Sequence, residues 1–217
     1  MNGQGTKSST TVLLVDDHAV VREGYRRLLE RQGEIVVVGE AANADEAYTL
    51  FCRLNPVIVV MDITLPGASG IDVMRRMLNR DPKTRVVIFS MHEDVIFAKR
   101  ALEGGAYGYV TKASAPAELV GAIRKVAAGE RYVSSSVAQI LVLRDMAAGR
   151  NPTDGLTARE FEILHLLAQG HSVRDIAQSL GLTPKTIANH QSNIKQKLGA
   201  DTTIQLLKAA EELGFER

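Results

Sequence analysis

Short apolar runs alternate with helical patterns along the first 130 residues of the chain. The runs are rich in branched residues, which is typical of strands buried on both faces of a parallel sheet. The strands are predicted at 12–15, 35–38, 57–61, 86–90 and 107–111, and the helices at 19–31, 44–53, 69–78, 95–103 and 116–128. In the first helix, Val20, Tyr25, Leu28 and Leu29 form the apolar stripe. The alternation predicts an α/β fold with a parallel sheet and helices on both faces.

Polar side chains follow several of these strands at the point where each strand ends. Asp16 and Asp17 follow the first strand, and Asp62 follows the third. Ser90 ends the fourth strand, and Lys112 follows the fifth. Because ligands bind at the carboxyl ends of strands in open α/β sheets, we expect these side chains to converge on one site.

The predicted cluster suits a divalent cation and a phosphoryl group. Three carboxylates packed together repel one another unless a cation compensates their charge. A set of oxygen ligands without cysteine or paired histidines is typical of Mg²⁺. A lysine and a hydroxyl nearby would bind a small dianion, and an aspartate carboxylate can itself be the nucleophile.

Each of these residues also has a purely structural interpretation. Asp17 could cap the helix that begins near Ala19, Ser90 could be a polar strand end, and Lys112 could be a solvated surface lysine. His18 could be a ligand, but no second histidine pairs with it, and a structural role is favoured. Matching chemistry at four strand ends favours a functional site over these separate explanations.

The rest of the chain predicts a linker followed by four helices. Residues 137–146 are moderately helical, and 147–155 have loop chemistry. The four helices are expected from Thr157, with a capping box to Glu160, from Ser172, from Thr183–Pro184 to Leu198, and from about Thr202 to Leu213. The tight turn at 181–183 between the second and third of them is typical of a helix-turn-helix.

The third of these four helices has a polar, basic face. Ile187, Ile194 and Leu198 share its apolar side. The opposite side and its flanks carry Lys185, Ala188, Asn189, Ser192, Asn193, Lys195, Gln196 and Lys197. Three lysines without an acidic residue, beside short hydrogen-bonding side chains, fit insertion into a major groove. Periodicity alone also allows a merely solvated helix face.

Composition and charge add a few limits. A length of 217 residues suggests one or two domains, and a formal net charge of +1 means that any nucleic-acid contact must be local. The single cysteine, Cys52, excludes an internal disulfide and is expected to be a core thiol. The polar N-terminus lacks a signal-peptide core, and no apolar run is long enough to span a membrane. We therefore expect a cytoplasmic protein.

Four motifs at strand ends connect the first domain to a known family. They are Asp-Asp after the first strand, Met-Asp with Pro-Gly after the third, Ser after the fourth and Tyr-x-x-Lys after the fifth. With these motifs, residues 12–130 resemble the receiver domain of two-component response regulators. The resemblance implies a flavodoxin-like (βα)5 domain with strand order 2-1-3-4-5. Ala113 replaces the proline of many receivers, as is common in the NarL/FixJ subfamily.

The resemblance also implies how the acidic residues act. Asp62 would be the phosphoacceptor of a sensor histidine kinase. Asp17, Asp62 and the backbone carbonyl of Thr64 would bind Mg²⁺ directly, and Asp16 would act through water.

Three further residues acquire roles through the same resemblance. Lys112 would pair with the phosphoryl group. Ser90 would swing to hydrogen-bond it, and Tyr109 would follow inward as the aromatic switch. Such a receiver is not an enzyme beyond intrinsic phosphotransfer and autodephosphorylation.

A long motif links the last part of the chain to a second family. It reads Leu-Thr-Ala-Arg-Glu-Phe-Glu-Ile-Leu, then Ile-Ala-x-x-Leu-Gly-Leu-Thr-x-Lys-Thr-Ile-x-x-His, then Lys-Leu-Gly-Ala. Residues 156–213 thereby resemble the LuxR-type DNA-binding domain, an all-α unit of four helices. Relatives are often basic or bulky at the position of Ala188, so base preference cannot be transferred, and Asn189 and Ser192 are the best candidates for base contacts. Lys185, Thr186, Lys195 and Lys197 are expected to contact phosphates, and the resemblance implies dimer contact through the last helix.

Together the two resemblances predict a NarL/FixJ-type response regulator. We expect a disordered tail (1–9), a receiver domain (10–131), a linker with a helix (132–154) and a LuxR-type helix-turn-helix domain (155–217). Phosphorylation is expected to weaken an inhibitory interdomain contact and to favour a homodimer on double-stranded operator DNA.

Two other functions compete with this prediction. A Mg²⁺-dependent phosphohydrolase of the haloacid-dehalogenase type would use Asp62 as nucleophile, but it would have a second aspartate at the position of Thr64. A DNA-binding regulator whose receiver is never phosphorylated would use that domain only for dimerisation. The full set of Asp16, Asp17, Ser90 and Lys112 disfavours it.

Overall fold

A single parallel sheet forms the centre of the N-terminal domain. The computed structural model describes residues 9–31, 33–92, 95–114, 116–145 and 155–212. The strands are β1 (Thr10–Val15), β2 (Ile35–Ala41), β3 (Ile58–Met61), β4 (Arg85–Ser90), β5 (Gly108–Thr111) and β6 (Tyr132–Val133). They pair in the order β2-β1-β3-β4-β5-β6, and every pair is parallel. The predicted α/β fold and the flavodoxin-like order of the first five strands are confirmed.

Helices cover both faces of this sheet. They are α1 (Ala19–Glu30), α2 (Ala44–Leu54), α3 (Gly70–Arg80), α4 (Val95–Glu103) and α5 (Pro116–Ala127), and α6 (Ser135–Asp145) follows β6. Alternate residues of the strands face opposite sides, so that Leu13 and Val59 belong to one apolar cluster and Val12 and Val60 to another. The sheet is therefore buried on both faces, as the apolar runs predicted.

The structure departs from the sequence prediction at several positions. Tyr132 and Val133 fall within the predicted linker, but they extend the sheet by pairing with β5. Val20 belongs to the predicted apolar stripe of the first helix, yet it is 87% exposed, and Leu29 is the fully buried residue of that helix. Val57 lies outside β3 and is exposed. Cys52 is only partly buried.

The C-terminal domain consists of four helices. They are α7 (Ala158–Ala168), α8 (Val173–Ser179), α9 (Pro184–Leu198) and α10 (Thr203–Glu212). The predicted capping box is present, because the Thr157 side chain accepts from the Glu160 amide and the Glu160 carboxylate accepts from the Thr157 amide. Gly181, in the left-handed region, makes the turn between α8 and α9. The predicted helix-turn-helix is confirmed.

Helix α7 joins the two domains. The Phe97 ring of α4 packs edge-to-face on the Phe161 ring of α7, with centroids 4.9 Å apart. The Arg159 guanidinium donates through Nη2 to the Leu65 carbonyl at 2.9 Å. Four polar residues of this helix, Arg159, Glu160, Glu162 and His165, are buried. One apolar cluster runs from the receiver sheet into the four-helix domain.

Some predicted segments lie outside the described residues. These are the N-terminal tail up to residue 8, residues 147–154 of the predicted loop at 147–155, and the residues from 213 onward. Within the described part of the chain, none of the helices combines the length and the apolar character that crossing a membrane requires.

Candidate functional site

Backbone hydrogen bonds bring the predicted strand-end residues to one edge of the sheet. The Asp62 amide donates to the Val15 carbonyl at 2.9 Å, and the Lys112 amide donates to the Ser90 carbonyl at 2.8 Å. The backbone after Asp62 passes so close to Gly70 that a Cβ at this position would overlap the Asp62 carbonyl oxygen. Only glycine therefore fits there. The sheet edge therefore brings together residues that are far apart in sequence, such as Asp16, Asp62 and Lys112.

Lys112 lies between two buried carboxylates. Its Nζ is 2.6 Å from Asp16 Oδ2 and also contacts Asp62 Oδ2. Burial raises the pKa of Asp62 to about 6, although Lys112 opposes the rise. Burial alone would lower the pKa of Lys112, but the Asp62 and Asp16 carboxylates outweigh it and raise that pKa. Asp62 is therefore mostly ionised at neutral pH.

Asp16, Asp17 and His18 form a cluster of possible metal ligands beside this lysine. One possible ligand atom from each of the three lies within 4.8 Å of the others. Asp17 Oδ1 is 2.7 Å from His18 Nδ1. The structural interpretation of Asp17 as a helix cap does not hold, since His18 is the N-cap of α1 and no side chain caps it. The oxygen atoms of this group and of Asp62 are of the kind that Mg²⁺ prefers.

An open pocket of about 410 Å³ gives access to Asp62. It is lined by His18, Val21, Asp62, Thr64, Ser90, Met91, His92 and Lys112. Ser90 is buried, and Met91 on the rim is exposed. Tyr109 is fully buried, and its hydroxyl donates to the His92 carbonyl at 2.6 Å, so its ring occupies an inward position.

The polar contacts that surround Thr64 are not indicated by any sequence pattern. The Thr64 hydroxyl lies 3.1 Å from His92 Nε2. The His92 ring packs edge-to-face on the His165 ring of α7, with centroids 5.4 Å apart. Burial lowers the pKa of His92 to about 4, and burial raises the pKa of Glu162 to about 7. These residues were missed because they depend on how the domains pack, which no local pattern records.

The predicted DNA-binding face of α9 is open to solvent. Lys185, Ala188, Asn189 and Ser192 are all exposed. Their apolar counterparts on the other side of the helix, Ile187 and Ile194, are fully buried.

Three of the predicted phosphate contacts differ in their surroundings. The Thr186 hydroxyl is 2.8 Å from the Thr183 hydroxyl at the helix N-terminus. Lys195 is partly buried. The Lys197 ammonium donates to Glu160 Oε2 at 2.6 Å, so its charge is partly compensated within the domain.

Two family models cover most of the chain. The response regulator receiver domain matches residues 12–124, and the luxR family of bacterial regulatory proteins matches residues 154–210. The chain belongs to the NarL/FixJ family of response regulators. It is a transcriptional regulator with a receiver domain and a LuxR-type DNA-binding domain, and its family consists of regulators and not of typical enzymes. The resemblances drawn from the sequence are confirmed.

Curated relatives of this response regulator match it over nearly its whole length. The response regulator GacA of Pseudomonas aeruginosa strain PAO1 is 36% identical over 206 residues, which cover 94% of this chain and 96% of GacA. The response regulator UvrY of Escherichia coli K12 is 35% identical over 202 residues, which cover 92% of each chain.

Solved structures of other response regulators are also similar. A LuxR-family response regulator from Aurantimonas sp. SI85-9A1 is 50% identical, with a TM-score of 0.63, and covers 64% of this chain and 99% of that one. RcsB of Salmonella enterica serovar Typhimurium, bound to promoter rprA in the presence of the phosphomimetic BeF3−, is 26% identical with a TM-score of 0.64. This second match covers 94% of this chain and 98% of the RcsB chain.

Proposed function

We propose that a sensor histidine kinase phosphorylates Asp62, and that phosphorylation favours a homodimer that binds operator DNA and regulates transcription. The observation that carries this proposal is the buried Asp16–Lys112–Asp62 cluster at the bottom of an open pocket. The proposal keeps the domain limits predicted above, with a receiver at 10–131, a linker at 132–154 and a DNA-binding domain at 155–217.

Asp62 is suited to the role of phosphoacceptor. Its pKa of about 6 leaves the carboxylate ionised at neutral pH. One carboxylate oxygen would attack the phosphorus of a phosphohistidine, the P–N bond would break, and the kinase imidazole would leave with its electron pair and take up a proton. Lys112 would then pair with the phosphoryl oxygens, and the Ser90 hydroxyl would hydrogen-bond them.

The oxygen atoms of Asp16, Asp17, Asp62 and Thr64 fit a Mg²⁺ ion in their chemistry. Asp17, Asp62 and the Thr64 carbonyl would hold the ion directly, and Asp16 would act through water. When bound, the ion would offset the repulsion between these carboxylates and an incoming phosphoryl group. Asp17 is the most accessible of the three carboxylates, since it is only partly buried.

Helix α9 would enter the major groove with its exposed face. Asn189 and Ser192 would read base edges beside Ala188. Lys185, Thr186, Lys195 and Lys197 would contact phosphates, and Lys197 contributes least because Glu160 already pairs with it. Because each copy supplies only one short helix for base contacts, two copies would be needed to bind a specific DNA site.

Helix α10 is the proposed contact between the two copies on DNA. Its Ile204 side chain is 70% exposed, which is unusual for a large apolar residue next to the buried Leu206. A cytoplasmic location follows from a kinase partner and a DNA target, and belongs to the same proposal.

DNA binding with and without the phosphomimetic tests the proposed output. Duplexes selected from a random pool by the beryllofluoride form would serve as probe in fluorescence anisotropy. We expect beryllofluoride to strengthen binding of the wild type, and Asn189→Ala to abolish the preference for selected over random duplexes. Equal binding by the wild type with and without beryllofluoride would contradict control by phosphorylation.

A further inference from the structure

We propose that helix α9 recognises A·T base pairs, with the Asn189 amide hydrogen-bonded to an adenine and the Ala188 methyl group packed on a thymine methyl. This inference rests on the proposed function, because it names the bases that the proposed DNA-binding face contacts. Each copy in the proposed homodimer would place the same two side chains in one half-site.

Buried residues determine which side of α9 faces outward. Ile187 and Ile194 are fully buried against the rest of the domain. At about 100° per residue, Ala188 and Asn189 lie to either side of the line opposite these two isoleucines. Both residues are exposed. Two neighbouring side chains on this face would therefore meet two different bases.

Asn189 carries a donor and an acceptor on one short, planar group. In the major groove, adenine presents the matching pair, with N7 as acceptor and the N6 amino group as donor. Guanine presents two acceptors, N7 and O6, so the carbonyl oxygen of an asparagine would be left without a donor. The side chain is exposed and lies in the first half of α9, where helices in the major groove contact base edges. Adenine is therefore the base that pairs with both polar atoms of Asn189.

Ala188 adds a small apolar contact to the same face. Its side chain is exposed beside Asn189, and it can contact a base only through its methyl group. The apolar group that distinguishes one base from the others in the major groove is the C5 methyl of thymine. Contact between two methyl groups removes both of them from water. Ala188 therefore favours thymine over cytosine, which lacks this methyl group.

Ser192 does not add a donor that would favour guanine. It lies one turn after Ala188, is exposed, and donates its hydroxyl proton to the Ala188 carbonyl at 3.1 Å. With its proton used in this way, the oxygen offers only lone pairs, which accept from an amino group such as adenine N6 or cytosine N4. Guanine N7 and O6 are themselves acceptors, so they cannot pair with this oxygen.

The basic residues of α9 also provide little for guanine. The helix has no arginine, which is the residue that most often binds guanine through two hydrogen bonds. Lys195 is partly buried, and Lys197 pairs with Glu160 at 2.6 Å. Lys185 is exposed in the first turn, where the helix N-terminus also attracts phosphate. The chemistry of the exposed face therefore fits A·T pairs better than G·C pairs.

Base analogues test both contacts with the wild-type protein. The probe is the duplex that the full-length beryllofluoride form enriches most from a random pool. Each thymine is replaced in turn by deoxyuridine, which lacks the methyl group, and each adenine by 7-deazaadenine, which lacks N7. In fluorescence anisotropy, we expect a loss of affinity of about fourfold at one thymine of each half-site and of about tenfold at one adenine.

Protein variants assign each effect to its side chain. Ala188→Ser replaces the methyl group by a hydroxymethyl group, so it should lose the deoxyuridine effect and keep the 7-deazaadenine effect. Asn189→Ala should bind the unmodified and the 7-deazaadenine duplexes equally. Gln169→Ala removes an exposed amide outside α9 and is the matched control, with both effects as in the wild type. Thermal unfolding would verify that these variants of exposed residues fold.

The outcomes separate this inference from the proposed function. Loss of affinity with 7-deazaguanine, but with neither of the other analogues, would overturn the preference for A·T pairs and leave operator binding intact. A deoxyuridine effect that Ala188→Ser retains would overturn the methyl contact, and a 7-deazaadenine effect that Asn189→Ala retains would overturn the adenine contact. A wild type that enriches no duplex would contradict the proposed function, and this inference would fail with it.

Discussion

At the scale of single residues, Lys112 is the central charge of the receiver site. It compensates two carboxylates that are 2% and 4% exposed, and its own side chain is nearly inaccessible. A buried ion pair contributes little net stability compared with apolar residues, but loss of one partner leaves an uncompensated buried charge. The stability of this site therefore depends on what neutralises Asp16 and Asp62.

Lys112→Met should destabilise the receiver and make it dependent on Mg²⁺. We expect a loss of about 3 kcal/mol in the free energy of unfolding with EDTA, because two buried carboxylates are left facing each other. Mg²⁺ should restore much of this loss. Urea denaturation with EDTA and with Mg²⁺ measures both values, and the exposed Lys83→Met is the control. Equal stability of Lys112→Met and wild type with EDTA would contradict the compensating role of this lysine.

The residues of this site were predictable because strand ends are recorded in the sequence. Asp16, Asp62, Ser90 and Lys112 each follow an apolar run, and parallel strands end at one edge of a sheet. The side chains around Thr64 were not predictable in the same way. Glu162 and His165 reach this site from another domain, and their surroundings depend on a contact between surfaces far apart in sequence.

At the scale of elements, α7 and α9 are joined by an ion pair inside the DNA-binding domain. The Lys197 ammonium donates to buried Glu160 at 2.6 Å, and Glu160 also completes the capping box of α7. Burial would raise the pKa of Glu160, but Lys197 and Thr157 outweigh it, so the pKa is lowered. The pair therefore fixes α9 against α7, the helix that contacts the receiver.

Glu160→Gln should lower the thermal stability of the DNA-binding domain at neutral pH. Because the pKa of Glu160 is lower in the folded state than its usual value of 4.5, the pair stabilises the fold above that value and loses its effect as pH falls through the folded pKa. The difference in Tm from wild type should therefore shrink at acid pH. Calorimetry over a pH series measures it, with the exposed Lys185→Met as control; a constant difference would contradict the assignment.

Helix and strand boundaries were predicted to within a few residues where the apolar pattern was long. β6 was missed because two residues, Tyr132 and Val133, are too short for a periodic pattern, and only their pairing with β5 identifies them. Val20 is apolar and correctly spaced for the core, yet it lies at the exposed start of α1. The spacing of apolar residues does not show which turn of a helix extends beyond the sheet and is exposed.

At the scale of the whole molecule, the interface between domains has an apolar centre and polar connections. The Arg100 guanidinium lies 4.3 Å from the centroid of the Phe161 ring and donates to the Leu156 carbonyl at 2.9 Å. The Gly67 amide donates to the Leu180 carbonyl at 3.4 Å. The contact thus combines α4 and the loop after Asp62, so both can respond to phosphorylation. The sequence predicted an inhibitory contact but not its residues.

Arg100→Ala should open the domains without a phosphoryl group. The variant loses a cation–π contact and a hydrogen bond across the interface, together worth about 2 kcal/mol, or roughly a thirtyfold change in the closed-to-open ratio. Small-angle scattering of the monomer measures the opening. Arg80→Ala, an exposed arginine on the neighbouring α3, is the control. A variant that stays as compact as the wild type would show that Arg100 does not hold the domains together.

The role of Asp62 as phosphoacceptor is tested directly by the intact mass of the protein after incubation with acetyl phosphate and Mg²⁺, with wild type and Asp62→Asn side by side. We predict one phosphoryl adduct on the wild type, and none on the variant or when EDTA replaces Mg²⁺. An equal adduct on Asp62→Asn would contradict Asp62 as the phosphoacceptor. A wild type that takes up neither the phosphoryl group nor beryllofluoride would contradict a phosphorylated receiver altogether.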